Sequence, residues 1–230
     1  MKSIDRMDRP PAAEHWVRMQ SPGVERTAKL VFNLLRSKIT WNYNTAKNVA
    51  RYHIEDQIDR LTGQGIVLRS KNRIGLPYNL QAVDGFFDYV EANPIDGLSV
   101  FSGLVEYFPV RRGLMLPIRP LAVVNSRRGL EPIFLNPWSS IGMDRYQGSL
   151  LRTVLEKSIF TLSDFRSSDC KMIFLPKSSS SSGEVKRTPT IWTRDTFPML
   201  TDRELLDQIK VFLEAQEIAI ARFKEMDDKN

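Results

Sequence analysis

Residues 60–75 read RLTGQGIVLRSKNRIG, and the fold assigned to the first third of the chain turns on whether this stretch is strand or helix. Upstream, Ala46, Ala50, Ile54, Ile58 and Leu61 recur every three or four positions, the spacing of one helical face. Asn44 or Thr45 can cap the start of that helix, and Gly63 is a natural stop. The short apolar run Ile66-Val67-Leu68 then reads as a strand, residues 70–73 (SKNR) as a turn, and residues 74–78 as a return segment. Pro77 restricts that return segment to a sheet edge.

Two further helices are expected before this hairpin. Residues 1–10 are charged and run into Pro10-Pro11, so they read as a flexible N-terminus. Residues 11–19 form a short helix carrying Trp16 and Val17, and residues 24–37 a longer one with Ala28, Val31, Leu34 and Leu35 on one face. Helix, helix, helix, hairpin is the order of a winged helix, so residues 11–78 read as a winged-helix-like region. In such modules the third helix enters the major groove and the wing meets the flanking backbone. Lys47, Asn48 and Arg51 are then the groove-facing side chains, because asparagine can pair with adenine and arginine with guanine. Arg69, Lys71 and Arg73 alternate along the hairpin and share one face, where they can neutralise successive phosphates. Against this, Glu55, Asp56 and Asp59 put negative charge on the far half of the helix, and the break before it is longer than a helix-turn-helix needs.

Charge distribution points the same way. The net charge is +6, yet residues 1–75 alone carry 14 Lys/Arg against 7 Asp/Glu. A local positive field suits a polyanion. No run approaches the ~18 apolar residues of a membrane span. The first residues lack the apolar stretch of a secretory signal. A single cysteine, Cys170, leaves no intrachain disulfide and no cysteine-rich zinc site. A cytoplasmic protein is expected.

Residues 79–230 read as an α+β region. A helix over 80–92 precedes the β-branched, proline-punctuated run YFPVRRGLMLPIRPLAVVNSRRGLEPIFLNPW (107–138), which predicts a β-meander. Its turns hold a faint repeat, Arg111-Arg112-Gly113-Leu114 and Arg127-Arg128-Gly129-Leu130. A helix over 144–158, strands over 159–165 and 171–175, a mobile serine loop over 178–183 and a strand over 190–193 follow. Thr201 and Glu204 form a capping box that opens a long terminal helix. The fold class is therefore α+β: an N-terminal winged-helix-like region, then an antiparallel β-rich region closed by a long C-terminal helix.

Catalytic signatures are sparse. His15 and His53 show no zinc or triad spacing, and no glycine-rich phosphate loop precedes a helix. A metal-dependent nuclease with a restriction-endonuclease-like core would need carboxylates and a lysine around Mg²⁺. Glu156, Asp164, Asp169 and Lys171 are its candidates. Matches to such a short pattern arise by chance about once or twice in a chain of this composition. The sequence thus favours a non-enzymatic nucleic-acid binder without cofactor, acting on DNA rather than RNA. Its expected setting is a bacterial or mobile-element nucleoprotein assembly, with a protein partner or self-association. The nuclease, with Mg²⁺, is the alternative, and a protein–protein adaptor a further one.

Overall fold

The computed structural model describes residues 10–37, 42–95, 98–101, 103–126, 129–179 and 185–227. Arg127-Arg128, the greater part of the serine loop and nearly all of the expected N-terminal tail lie outside them. The architecture is mixed α+β. Helices α1 (Ala13–Val17), α2 (Val24–Arg36), α3 (Asn44–Asp56), α4 (Arg60–Leu68) and α5 (Leu76–Ala92) come first. Strands β1 (Leu98–Phe101), β2 (Glu106–Arg111), β3 (Leu114–Ile118), β4 (Ala122–Ser126) and β5 (Gly129–Asn136) follow. Then come α6 (Arg145–Glu156), β6 (Lys171–Phe174), β7 (Lys177–Ser179), β8 (Val185–Arg187), β9 (Thr190–Trp192) and α7 (Asp202–Asp227).

The sheet runs β1-β4-β5-β6-β9, and its side chains alternate between two cores. Val123, Phe134, Met172 and Phe174 face a core built with α1, α2, α6, α7 and the β2–β3 hairpin. Val124, Ile133, Leu135, Ile173 and Leu175 face a second core built with α3, α4 and α5. This period of two is the strand's own. Burial on both sides explains why β4 and β5 read as continuous apolar runs. The sheet is mixed, not antiparallel throughout: β5 and β6 are parallel, joined by the α6 crossover. A parallel pair cannot be closed by a hairpin and needs such a connection.

The opening stretch is a helix, and no wing forms. Helix α3 ends at Gln57, which adopts a left-handed conformation (φ 55°), and Asp59 caps α4 by accepting from Thr62 N–H at 2.7 Å. Gly63 lies inside α4, where a Cβ would stand 2.7 Å from Val49 Cγ1 and 3.0 Å from Phe87. It is a close-packing glycine that lets α4 approach α3 and α5, not a stop. Arg60 fastens the same helix to α5 through Asp88 (2.7 Å) and Glu91 (2.8 Å). Arg69, Lys71 and Arg73 consequently sit on the α4–α5 connection, exposed, without the alternation of a strand. Gly63→Ala is expected to lower stability by about 1–3 kcal/mol through overpacking. Gly65→Ala, two residues on with open space around its Cα, is expected to add about 0.5–1 kcal/mol. Urea melts of the two variants check the pair; equal shifts would contradict the packing assignment.

Residues 159–165 also differ from expectation. They form two 3₁₀ turns, Ile159–Thr161 and Ser163–Phe165, that bury Ile159, Phe160 and Phe165 in the first core. Ser158 Oγ bonds back to Val154 O and Thr161 Oγ1 to Ser158 O, which ties the backbone into turns rather than a ladder. The meander is split: β2 and β3 pair only with each other, and the chain breaks at 119–121 before β4 joins the main sheet. The terminal helix is as expected, with Glu204 N–H donating to Thr201 Oγ1 and Thr201 N–H to the Glu204 carboxylate. Its 26 residues span about 39 Å. No described helix is long and apolar enough to cross a membrane.

Candidate functional site: a charged cavity at the strand ends

Strands β1 and β5 are each antiparallel to β4, so both end at the same edge of the sheet, where β4 begins. A cavity of about 420 Å³ lies there, within the size of small-ligand sites. Its floor is Pro120, Leu121 and Leu135, and its rim is residues 103–105, where Gly103 (φ 86°) turns the chain away from β1.

Helix α3 supplies one wall. Asn44, Lys47, Asn48 and Arg51 follow at intervals of three, one and three, so they share one face, and all four line the cavity. The opposite face, with Ala46, Val49, Ala50 and Ile54, is buried in the second core. Asn79 on α5 pins the start of α3, accepting from Ala46 N–H at 3.0 Å and donating to Asn42 O at 2.9 Å. Arg51 donates to Asn48 Oδ1 at 3.3 Å. Arg119, exposed, lines the same cavity.

Helix α1 supplies the other wall, with Glu14 and His15. Trp16 and Val17 anchor it in the first core, Trp16 packing edge-on against Phe212 at 5.3 Å. The residues just after it are held by Gln147, whose amide donates to Gln20 O (2.8 Å) and Arg18 O (3.2 Å). His15 packs on Trp138 at 4.8 Å, and Arg18 lies over the same ring at 4.3 Å.

The charges here are poorly compensated. Glu14 is 5% exposed and its Oε2 has no hydrogen-bond partner among the described residues. Burial pushes its carboxyl above the ordinary range, an effect that Lys47 only partly offsets. Burial likewise pushes the Lys47 ammonium down, and Glu14 only partly offsets that. The two attract, yet no ion pair within 4.0 Å joins them. Keeping the Glu14 carboxyl out of water without a direct partner is costly, whereas Lys47 is only half-buried.

Burial, then Lys47 and Arg18, push the His15 imidazole down to about 4. Its unfolded form takes up a proton first, so stability is lost as pH falls from about 6.5 towards 4. Solvent reaches the exposed side of the ring, which holds the loss to about 1 kcal/mol or less. His15 is expected to titrate near pH 4, and higher in Lys47→Met, as read from its ring resonances. A midpoint near 6.5 in both proteins would contradict this arrangement.

Of the residues singled out from sequence, Lys47, Asn48 and Arg51 are brought together, but on a cavity wall rather than a free groove-reading face; Asn48 is exposed and the other two half-buried. Arg69, Lys71 and Arg73 lie on the segment leading into α5, whose first turn holds Asn79 against α3. Glu14, His15 and Arg119 were not picked out: Glu14 sits in a five-residue helix, His15 has no ligand spacing, and Arg119 lies in an irregular link.

Of the four nuclease candidates, Glu156 and Asp169 line one cavity and both bond Arg194, while Asp164 and Lys171 lie outside it. Arg194 engages both Glu156 oxygens (2.7 and 2.6 Å) and packs over Phe160 at 4.1 Å. Asp169 Oδ1 accepts from the backbone N–H groups of Cys170 (2.7 Å) and Arg194 (2.9 Å). Lys171 pairs with Glu131 at 3.4 Å, and Asp164 is exposed. Among the described residues no three metal-ligating side chains cluster. His53 is a packing residue, edge-on to Phe87 at 5.0 Å with Nδ1 bonded to Ile58 O. Comparison with known proteins yields no family model, no curated relative and no solved structure that matches the chain.

Proposed function

We propose that the chain is a non-enzymatic nucleic-acid-binding protein, DNA being its preferred partner, that works as a subunit of a nucleoprotein assembly. The observation that carries this reading is the convergence of Asn44, Lys47, Asn48 and Arg51 with Arg119 on one cavity at the strand ends. Two amides and three cations form a polar set suited to phosphate and base edges. The exposed Arg69, Lys71 and Arg73 extend positive charge over the neighbouring α4–α5 connection and act as sequence-independent backbone contacts. The nuclease alternative draws less support, because Glu156 and Asp169 are already committed to Arg194 and to backbone donors.

Fluorescence anisotropy with short DNA and RNA oligonucleotides tests the proposal. Neutralising about four phosphates predicts roughly a 100-fold loss of affinity between 50 and 200 mM salt. Absence of binding to either polymer, or binding indifferent to salt, would overturn it.

A further inference from the structure

The ligand of the cavity can be narrowed from its charge balance, an inference that rests on the nucleic-acid reading just given. Lys47, Arg51 and Arg119 surround one small volume against a single carboxylate, Glu14. An internal phosphodiester carries one negative charge, whereas a phosphomonoester carries about −1.5 to −2 at neutral pH and offers three acceptor oxygens. The excess of cations matches the monoester. Among the described residues the Lys47 ammonium has no hydrogen bond or ion pair, so its protons are free for such oxygens. The Glu14 carboxyl, 5% exposed as a residue, lines the same space. It fits a ligand that also presents a hydroxyl or N–H beside its phosphate, as a nucleotide does. An ion such as sulfate would leave that carboxyl unmet.

We propose that this cavity is a pocket for a phosphomonoester, supplied by the phosphorylated terminal nucleotide of a nucleic-acid strand. Lys47, Arg51 and Arg119 hold the phosphate, and Glu14 meets the hydroxyl or N–H of the terminal nucleotide. The protein then prefers phosphorylated ends to the interior of a strand, with the α4–α5 cations touching the adjoining backbone.

The test compares one oligonucleotide carrying a 5′-phosphate, a 3′-phosphate or hydroxyls at both ends, with the full chain at fixed salt. One of the phosphorylated forms is expected to bind about tenfold or more tightly than the hydroxyl form. That preference is expected to vanish in Lys47→Met and in Arg119→Gln, and to persist in Arg73→Gln. Arg119 is exposed, so its variant keeps the test informative if Lys47→Met fails to fold. Equal affinity for all three forms would overturn the terminal-phosphate pocket while leaving nucleic-acid binding standing. A preference that survives both cavity variants would overturn it too. If no oligonucleotide binds, the functional reading above fails, and a nucleoside monophosphate and inorganic phosphate are titrated calorimetrically. Saturable binding of the nucleotide, abolished in Arg119→Gln, keeps the phosphomonoester pocket with a free molecule as ligand. Binding of neither removes it.

Discussion

Replacing Arg187 with methionine is expected to lower the unfolding free energy by about 3–5 kcal/mol. Arg187 is 4% exposed, and its Nη1 donates to the carbonyls of Leu175 (2.8 Å), Trp138 (3.0 Å) and Pro137 (3.3 Å). Its Nη2 donates to the Tyr43 hydroxyl at 3.0 Å. These acceptors cap the ends of β5 and β6 and the entry to α3, so one guanidinium joins both structures that build the cavity. Methionine keeps much of the aliphatic volume and removes every donor. Two or three buried carbonyls then go unmet at about 1–3 kcal/mol each, less what water recovers. Arg187→Lys should restore only part, because a compact ammonium cannot span four dispersed acceptors. Gly85 leaves no slack, since a Cβ there would collide with Arg187 Cβ. Denaturant melts provide the measurement; a loss below about 1 kcal/mol would mean that Arg187 does not hold this corner.

The second large effect concerns binding. Neutralising Lys47 or Arg119, as Lys47→Met or Arg119→Gln, is expected to weaken DNA binding about tenfold each, and the pair by less than the product, because both act on one phosphate. The salt slope should fall by about 0.9 for each phosphate no longer neutralised. Arg69→Gln and Arg73→Gln on the α4–α5 connection should cost only a few-fold each, because they lie outside the cavity and meet the backbone as single screened charges. Equilibrium titrations at several salt concentrations separate the two groups. The reverse order, with the connection dominating, would move the site off the cavity.

Parts of this molecule are plain in its sequence and parts are not. Helix α7 announces itself through the Thr201–Glu204 capping box and a long apolar stripe. The polar face of α3 is equally visible, since Lys47, Asn48 and Arg51 follow from local helical spacing. Helix α4 is hidden because two glycines and a β-branched pair argue against a helix. What overrides them is tertiary: Gly63 packs on Val49 and Phe87, neighbours that no local pattern reveals. The true stop of α3, Gln57, carries no glycine to mark its left-handed turn. The cavity is hidden for a related reason. Glu14, Lys47 and Arg119 come from three separate elements, and only the sheet edge brings them together. No spacing rule links them.

The chain holds two histidines, and they sit so differently that one measurement tests the central claim. His15 lines the cavity, while His53 is packed against Phe86 and Phe87. Ring resonances of both are followed while a phosphorylated DNA oligonucleotide is titrated in. The account predicts a saturable shift of His15, and of His53 almost none. Binding that leaves His15 unmoved would contradict it.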